Sequence, residues 1–235
     1  NLASKIPPSS SSFLSFMPPR LSSVGSFVFK PVIQGEIEDE IRLLPLNKAA
    51  GLYSTPVRIL KTASHLLSYP LATMINKSVQ MGVYPNKLKH AKIIPVYKSD
   101  DIIDPNNYRP ISLLSIFNRI FEKVMCNRLQ IFLDKHEVLY YSQYGFRKNC
   151  STEHALIDIV SKIQSNIDKK LYSCGVFIDL KKAFDTVDYS ILLSKLDYYG
   201  VRGIINNWFS SYLTNRYQTT QIGCHISQKE LCRCG

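Results

Sequence analysis

"VFIDLKKAFDTVDYSIL", residues 176–192, begins as an apolar run and ends as the opening of a helix, with Asp179, Asp185 and Asp188 in between. The apolar content and length of Tyr172–Ile178 predict a buried strand that ends on Asp179. A carboxylate at the carboxyl end of a strand stands where α/β sheets gather side chains around ligands. Joined by an adjacent backbone carbonyl, it suits a hard cation such as Mg²⁺, which takes carboxylate oxygens together with substrate phosphates. A strand-ending Asp is also common, so the pattern alone leaves a plain structural role open. Asp188 reads more simply as the N-cap of the helix "YSILLSKLDYY", which Gly200 stops. Asp185 reads either as support for the neighbouring carboxylate or as a solvated turn residue. Phe184 reads either as core or as the aromatic floor of a nucleotide pocket.

The composition sets the frame for that stretch. The chain has 235 residues, 45% hydrophobic and 20% charged, enough for one large domain or two small ones and globular rather than disordered. Lys and Arg number 29 against 18 Asp and Glu, a formal charge of +11. That excess points to a polyanionic partner, nucleic acid before membrane, because phosphates reward scattered cations. No apolar run approaches the roughly 20 residues of a membrane span. The cysteines are scattered and no secretory start is visible, so reduced thiols in an intracellular setting, nucleus or cytoplasm, are expected. The tail "GCHISQKELCRCG" holds Cys224, His225, Cys232 and Cys234, but their spacing is poor for zinc, and none is expected there.

Residues 1–34 are rich in Ser and Pro and read as an extended lead-in crossing the surface of the domain. Ile37, Ile41 and Leu44 share one helical face; Thr55 is placed as an N-cap with Pro56 at the first helical position; a further helix from about Pro70 ends at Gly82. Ala91–Lys98 is a strand, followed by the polar loop "SDDIIDPNNYRP". Ser115 caps a long helix that buries Phe117, Phe121, Val124 and Met125, and Ser151 or Thr152 caps another with Ala155, Ile159 and Ile163 in register. A helix around "IINNWFSSYLT" and a hairpin-like "YQTTQIGCHISQKEL" complete the chain. Helices outnumber strands and no repeat has a fixed period, so the class is α+β or mixed α/β.

The stretch "FIDLKKAFDTVDYSILLSKLDYYG" resembles the first catalytic motif of reverse transcriptases from non-LTR retrotransposons, the LINE and jockey-like group. "LKHAKIIPVYKSDD" with "NYRPISLLS" resembles the two fingers motifs, and "QYGFRKNCSTEHAL" resembles the Gln-x-Gly-Phe-Arg…Ser-Thr segment. "NKAAGLYSTPVRILK" and "GVYPNKLKHA" are similar to the region just before the fingers, so the likeness runs from about residue 25 to 235 in the family's order. The resemblance implies a helix-rich α+β fold, the fingers and partial palm of a right-hand polymerase, with helices behind a short antiparallel sheet. It implies a lead-in over 1–34, a helical region over 35–90, fingers over 91–170 and a partial palm over 171–235.

The same resemblance implies RNA-directed DNA synthesis, with an RNA template, a DNA primer and a dNTP as partners and no membrane. Asp179 would be a catalytic, metal-binding carboxylate, joined by the Leu180 carbonyl, for Mg²⁺ or Mn²⁺ in its place. Phe184 would be the gate beneath the sugar, and Lys98 and Arg109 would reach the triphosphate. Gln143, Phe146 and Arg147 would lie near the template and the nucleotide. Each also has a plain reading: Lys98 and Arg147 as solvated cations, Phe146 as core, Arg109 as a loop brace bonded to carbonyls. The family's aromatic-Ala-Asp-Asp turn has no counterpart here, and Asp100-Asp101 in the polar loop reads as a solvated turn. Tyr53 stands where the family carries an acidic residue. With Asn1 in place of Met, these departures predict an N-terminal fragment of a polymerase, inactive alone. The alternative is a non-catalytic nucleic-acid-binding remnant; a group II intron or telomerase-type enzyme fits "NYRPISLLS" and "QYGFRKNCST" less well.

Overall fold

The structure is a computed structural model and describes residues 25–46, 56–180 and 183–232. Thr55, Tyr53 and Cys234 lie outside the described residues. Of the described residues, those up to Gln130 and from Phe184 onward form one compact unit, and Ile131–Ala183 a second.

The first unit opens with an extended segment, residues 25–33, and helix α1 (Gln34–Leu43). The segment is tied down at several points. Phe27 N–H donates to the Gly200 carbonyl at 2.9 Å, and Asn76 exchanges hydrogen bonds with both backbone groups of Val32 at 2.8 and 2.9 Å. Arg128 donates to the Lys30 carbonyl at 2.7 Å, reaches both carboxylate oxygens of Glu36 at 2.6 and 2.8 Å, and lies over the Phe29 ring. Ile37 and Ile41 are fully buried in α1, whereas Leu44 falls just past the helix in extended backbone.

Helix α2 (Val57–Thr62) is short, and α3 (Ser64–Gln80) follows almost at once. The expected start near Pro70 therefore moves back to Ser64, with Pro70 inside the helix. Proline there gives up one backbone hydrogen bond, while burial of Leu71, Ala72, Ile75 and Val79 holds the helix through it. The C-terminus is a Schellman closure: Gly82 N–H bonds to the Val79 carbonyl and Val83 N–H to the Ser78 carbonyl, both at 3.0 Å. Gly82 has φ +65°, and a Cβ there would stand 3.1 Å from the Ile204 carbonyl oxygen, so both backbone conformation and close approach call for glycine.

Ser115 accepts from Asn118 N–H at 3.1 Å and opens α4 (Ile116–Lys135), whose end from Ile131 belongs to the second unit. Asp188 opens α6 (Tyr189–Tyr198), and α7 (Ile204–Leu213) follows. The core gathers around Tyr84, whose ring meets Phe121, Trp208 and Tyr212 edge-on at 5.0–5.8 Å between centroids. Such pairs add about 0.5–1.5 kcal/mol each beyond burial. Their polar atoms are used too: the Tyr84 hydroxyl donates to Asn118 Oδ1, Trp208 Nε1 donates to Ser78 Oγ at 2.9 Å, and the Tyr212 hydroxyl donates to Glu122 Oε1 at 2.7 Å. Burial holds both tyrosine hydroxyls well above their ordinary pKa.

The strands are β1 (His90–Tyr97), β2 (Tyr108–Leu113), β3 (Arg216–Ile222), β4 (His225–Ile226) and β5 (Glu230–Cys232). They form a sheet in the order β2-β1-β3-β4, with β5 also on β3. β1 and β2 are antiparallel, β4 and β5 run antiparallel to β3, and β1 and β3 are parallel. The sheet is thus mixed, where an antiparallel one was expected. β1–β2 and β3–β4 turn back as hairpins, whereas the parallel pair β1 and β3 is separated by β2 and a run of helices, the long connection that a parallel pairing needs.

The second unit holds α5 (Thr152–Asp168), capped by Ser151, whose hydroxyl accepts from His154 N–H at 3.3 Å. After it, residues 171–180 belong to no helix or strand. The expected buried strand Tyr172–Ile178 is absent, and Val176, Phe177 and Ile178 are 82–91% exposed. A strand requires a neighbour to take its backbone groups, and no strand among the described residues pairs with this one.

Candidate active site

The β1–β2 hairpin is built around its polar loop. Asp101 Oδ1 accepts from Ile103 N–H and Asp104 Oδ1 from Asn106 N–H, both at 2.9 Å, beside Pro105. Asn107 donates from its side chain to the Asp101 carbonyl at 2.8 Å, and Lys98 N–H donates to the Asn107 carbonyl at 2.9 Å. Asp100 and Asp101 are exposed turn residues, as read from the sequence. The register sets Val96 opposite Arg109 and Tyr97 opposite Tyr108. Side chains alternate faces along a strand, so Lys98 and Arg109 are diagonal neighbours on one face of the ribbon, while Tyr97 and Tyr108 meet on the other at 5.6 Å. Both cations are exposed. Among the described residues no hydrogen bond ties the Arg109 guanidinium to a loop carbonyl. A planar guanidinium beside an ammonium, both on a braced hairpin, is a geometry that grips phosphoryl oxygens.

Phe184 opens a single 3₁₀ turn, Phe184–Thr186, and is 68% exposed, so it is not core. Asp188 is the helix cap that the sequence predicts: its Oδ1 accepts from Ser190 N–H at 2.8 Å, Ile191 N–H at 3.1 Å and the Ser190 hydroxyl at 2.6 Å. The Ser190 hydroxyl first, then Ile191 N–H, hold its carboxyl below the ordinary range. Asp185 lines a cleft of about 290 Å³ with Glu122, Tyr212 and Arg216. There Arg216 donates to the Tyr212 carbonyl at 3.0 Å and lies 4.7 Å above its ring.

In the second unit, Gln143, Phe146 and Arg147 share one short loop. Gln143 Nε2 donates to the Gly145 carbonyl at 3.3 Å, and Arg147 Nη1 donates to the Tyr140 carbonyl at 3.1 Å. Arg147 is therefore a brace for its own loop as well as a cation. Phe146 is 91% exposed, which removes the core reading, and its φ of +59° is a region that a bulky side chain seldom adopts. Strain of that kind clusters at binding and catalytic sites. Asp179 lies near the end of the 171–180 segment, exposed, with Leu180 beside it.

The candidates are divided. Lys98, Arg109 and Phe184 belong to the first unit; Asp179, Leu180, Gln143, Phe146 and Arg147 belong to the second. For a divalent cation the described residues offer one carboxylate, Asp179, and one carbonyl, Leu180, against the roughly six oxygens that Mg²⁺ takes. Among the described residues no three His, Cys, Asp or Glu side chains converge.

The buried Lys89 gave no signal in the sequence. It reaches Ser211 Oγ at 3.4 Å, and burial, then Arg216, lower its pKa. No helix among the described residues is long and apolar enough to cross a membrane.

Comparison with known proteins adds to this geometry. The family described as "Reverse transcriptase (RNA-dependent DNA polymerase)" matches residues 96–235, a range that contains every candidate above. The chain is 31% identical over 217 residues to the probable RNA-directed DNA polymerase from transposon BS of Drosophila melanogaster, covering 89% of this chain and 23% of that protein. It is 32% identical over 161 residues to the RNA-directed DNA polymerase from mobile element jockey of the same species, covering 68% of this chain and 18% of the relative. The Pol polyprotein from type-1 retrotransposable element R1 of Bradysia coprophila is 28% identical over 164 residues, 69% of this chain and 16% of its own length. The chain therefore spans about a fifth of the relatives it matches.

Proposed function

This chain belongs to the reverse transcriptase family, with relatives among the polymerases of non-LTR retrotransposons, and from that premise we propose that it is the fingers and first part of the palm of a right-hand polymerase. The helical region is 35–90, the fingers 91–170 and the partial palm 171–235, with 1–34 as a lead-in. The whole protein copies an RNA template by extending a DNA primer: the primer 3′-hydroxyl attacks the α-phosphate of a dNTP, the bond to the β-phosphate oxygen breaks, and pyrophosphate leaves. It works inside the cell, in nucleus or cytoplasm.

The single observation that carries this reading is the placement of Lys98 and Arg109 on one face of a braced hairpin, which suits the triphosphate of an incoming nucleotide. Two cations carried side by side on a braced backbone neutralise phosphate charge. Phe184, exposed on its short turn, serves as the floor beneath the sugar and excludes a 2′-hydroxyl by contact. Gln143, Phe146 and Arg147 form the loop that borders template and nucleotide; the strained backbone at Phe146 supports that role. Asp179 lends a carboxylate, and Leu180 a carbonyl, to a divalent cation, Mg²⁺ or Mn²⁺, which when bound stabilises charge on the reacting phosphate.

Primer extension on an RNA template tests this in the protein of which the chain forms part. Asp179→Ala abolishes incorporation while RNA affinity stays near wild type. Arg109→Ala removes a charge-assisted contact of about 1.5–3 kcal/mol and raises the KM for dNTP by roughly ten- to a hundredfold. Synthesis at the wild-type rate by Asp179→Ala overturns the assignment. The second reading, a nucleic-acid-binding remnant that does not polymerise, draws on the net charge of +11. It predicts salt-sensitive RNA binding with no extension even by the wild-type protein.

A further inference from the structure

Ahead of the Gln143–Arg147 loop stand two adjacent tyrosines that the polymerase roles leave unused. Tyr140 and Tyr141 are 65% and 75% exposed, and their rings lie 4.5 Å apart, tilted by 46°. A tight turn presents them. The Tyr140 carbonyl accepts from Gln143 N–H at 3.0 Å and from the Arg147 guanidinium at 3.1 Å, so the backbone beneath the rings is held from two sides. The interaction between the neighbouring hydroxyls raises the pKa of Tyr140 and lowers that of Tyr141, and Ser142 lowers Tyr141 further. Both rings stay exposed.

The charge around them favours an anion. Arg147 and Lys148 follow in the same loop, and the chain as a whole carries +11. The adjoining helix carries Glu153, Asp158 and Asp168, and the one that acts on Tyr141, Asp158, is already answered: Lys162 Nζ stands 2.7 Å from it, and Lys162 and the Tyr144 hydroxyl hold its carboxyl below the ordinary range. Exposed aromatic faces with two side-chain torsions each, next to cations, are how proteins hold single strands without reading sequence. Every base has a π-face, but only an unpaired base can offer it.

We propose that Tyr140 and Tyr141 form a stacking platform for unpaired bases of single-stranded RNA, with Arg147 and Lys148 as its phosphate contacts. This deepens the polymerase reading and rests on it for the choice of RNA: the platform holds template that has not yet been copied. Because the rings accept any base, the grip is sequence-tolerant, as a template contact has to be.

The test is equilibrium binding of the full chain to a fluorescein-labelled oligoadenylate, followed by anisotropy, beside a duplex RNA of equal length. The paired change Tyr140→Ala with Tyr141→Ala weakens single-strand binding about tenfold and leaves duplex binding unchanged. Tyr140→Phe with Tyr141→Phe keeps the rings and stays within about twofold of wild type. Leucine at both positions keeps apolar bulk without flat faces and behaves like alanine. The dependence of affinity on salt keeps its slope in all three, since no cation is removed. Wild-type affinity in the alanine or the leucine pair overturns the proposal, and so does equal loss of single-strand and duplex binding in either pair. Neither tyrosine is in the catalytic set, so primer extension by the wild-type protein judges the polymerase reading alone, and these affinities judge the platform alone.

Discussion

Helices α4 and α5 are of similar length and similarly capped by serine, yet they end up in opposite situations. Along α4, Ile116, Ile120, Phe121 and Val124 are 0–7% exposed and join the Tyr84–Trp208 core. Along α5, Leu156, Val160, Ile163 and Ile167 recur at helical spacing, yet all are 42–62% exposed and the helix buries nothing. An amphipathic pattern specifies a face; it does not supply what the face packs against. The first unit owes its stability to its own core. The second unit, with Asp179 and the strained Phe146, carries much of the proposed chemistry on a scaffold with little burial. Contiguous exposed apolar side chains of this kind mark a surface meant for contact.

The sharpest way to break that comparison is Trp208→Ala, which removes the stacked ring and leaves Ser78 without its indole donor. The expected loss is about 3–5 kcal/mol of unfolding free energy by denaturant titration. A loss below about 1 kcal/mol would mean that the aromatic core does not hold the first unit. Next comes Arg128→Ala, which leaves the half-buried Glu36 carboxylate unpaired and releases the Lys30 and Pro31 carbonyls. About 2 kcal/mol is expected, together with faster proteolytic cleavage near Lys30; an unchanged cleavage rate would show that the segment is held by other contacts.

Asp188→Ala removes the cap of α6 at a cost of about 1 kcal/mol, and Asp188→Asn nearly restores it. The pH dependence has a definite sign. The folded carboxyl titrates below its unfolded value of about 3.9, so its contribution is complete above that value and fades as pH falls through the lower, folded one. Wild type therefore loses stability relative to Asp188→Asn below about pH 4, and parallel acid-melting curves would remove the cap from the account. The smallest effect is expected in the second unit: Leu156→Gln keeps helix propensity and removes little burial, so stability stays within about 0.5 kcal/mol of wild type. A larger loss would show that this exposed face already has a partner in solution.

Features decided within one turn of chain were legible. Ser115, Ser151 and Asp188 cap their helices because a short oxygen-bearing side chain answers backbone donors two or three residues on. Gly82 ends α3 because its neighbours require a left-handed residue. Ile37 and Ile41 lie buried on the predicted face. The strand at 91–98 was legible from its apolar run. Its register was not, and the register is what sets Lys98 diagonal to Arg109. Tyr172–Ile178 misled for the complementary reason: a strand is a relation between two segments, and this one has no ladder partner among the described residues. The start of α3 was misplaced because Pro70 reads as an opening, whereas burial on both sides of it carries the helix through.

By itself the sequence determined the net positive charge, the order of motifs that places the chain among reverse transcriptases, and the helix caps at Ser115 and Asp188. All of these depend on composition or on residues close together along the chain. Only the tertiary structure decided that β1 and β3 run parallel, that Lys98 and Arg109 share a face, that Phe146 is strained and exposed, and that Tyr140 and Tyr141 stand out on a braced turn. Each of these depends on what a distant segment, or the fold of a loop, does with a side chain, and local pattern carries no information on that.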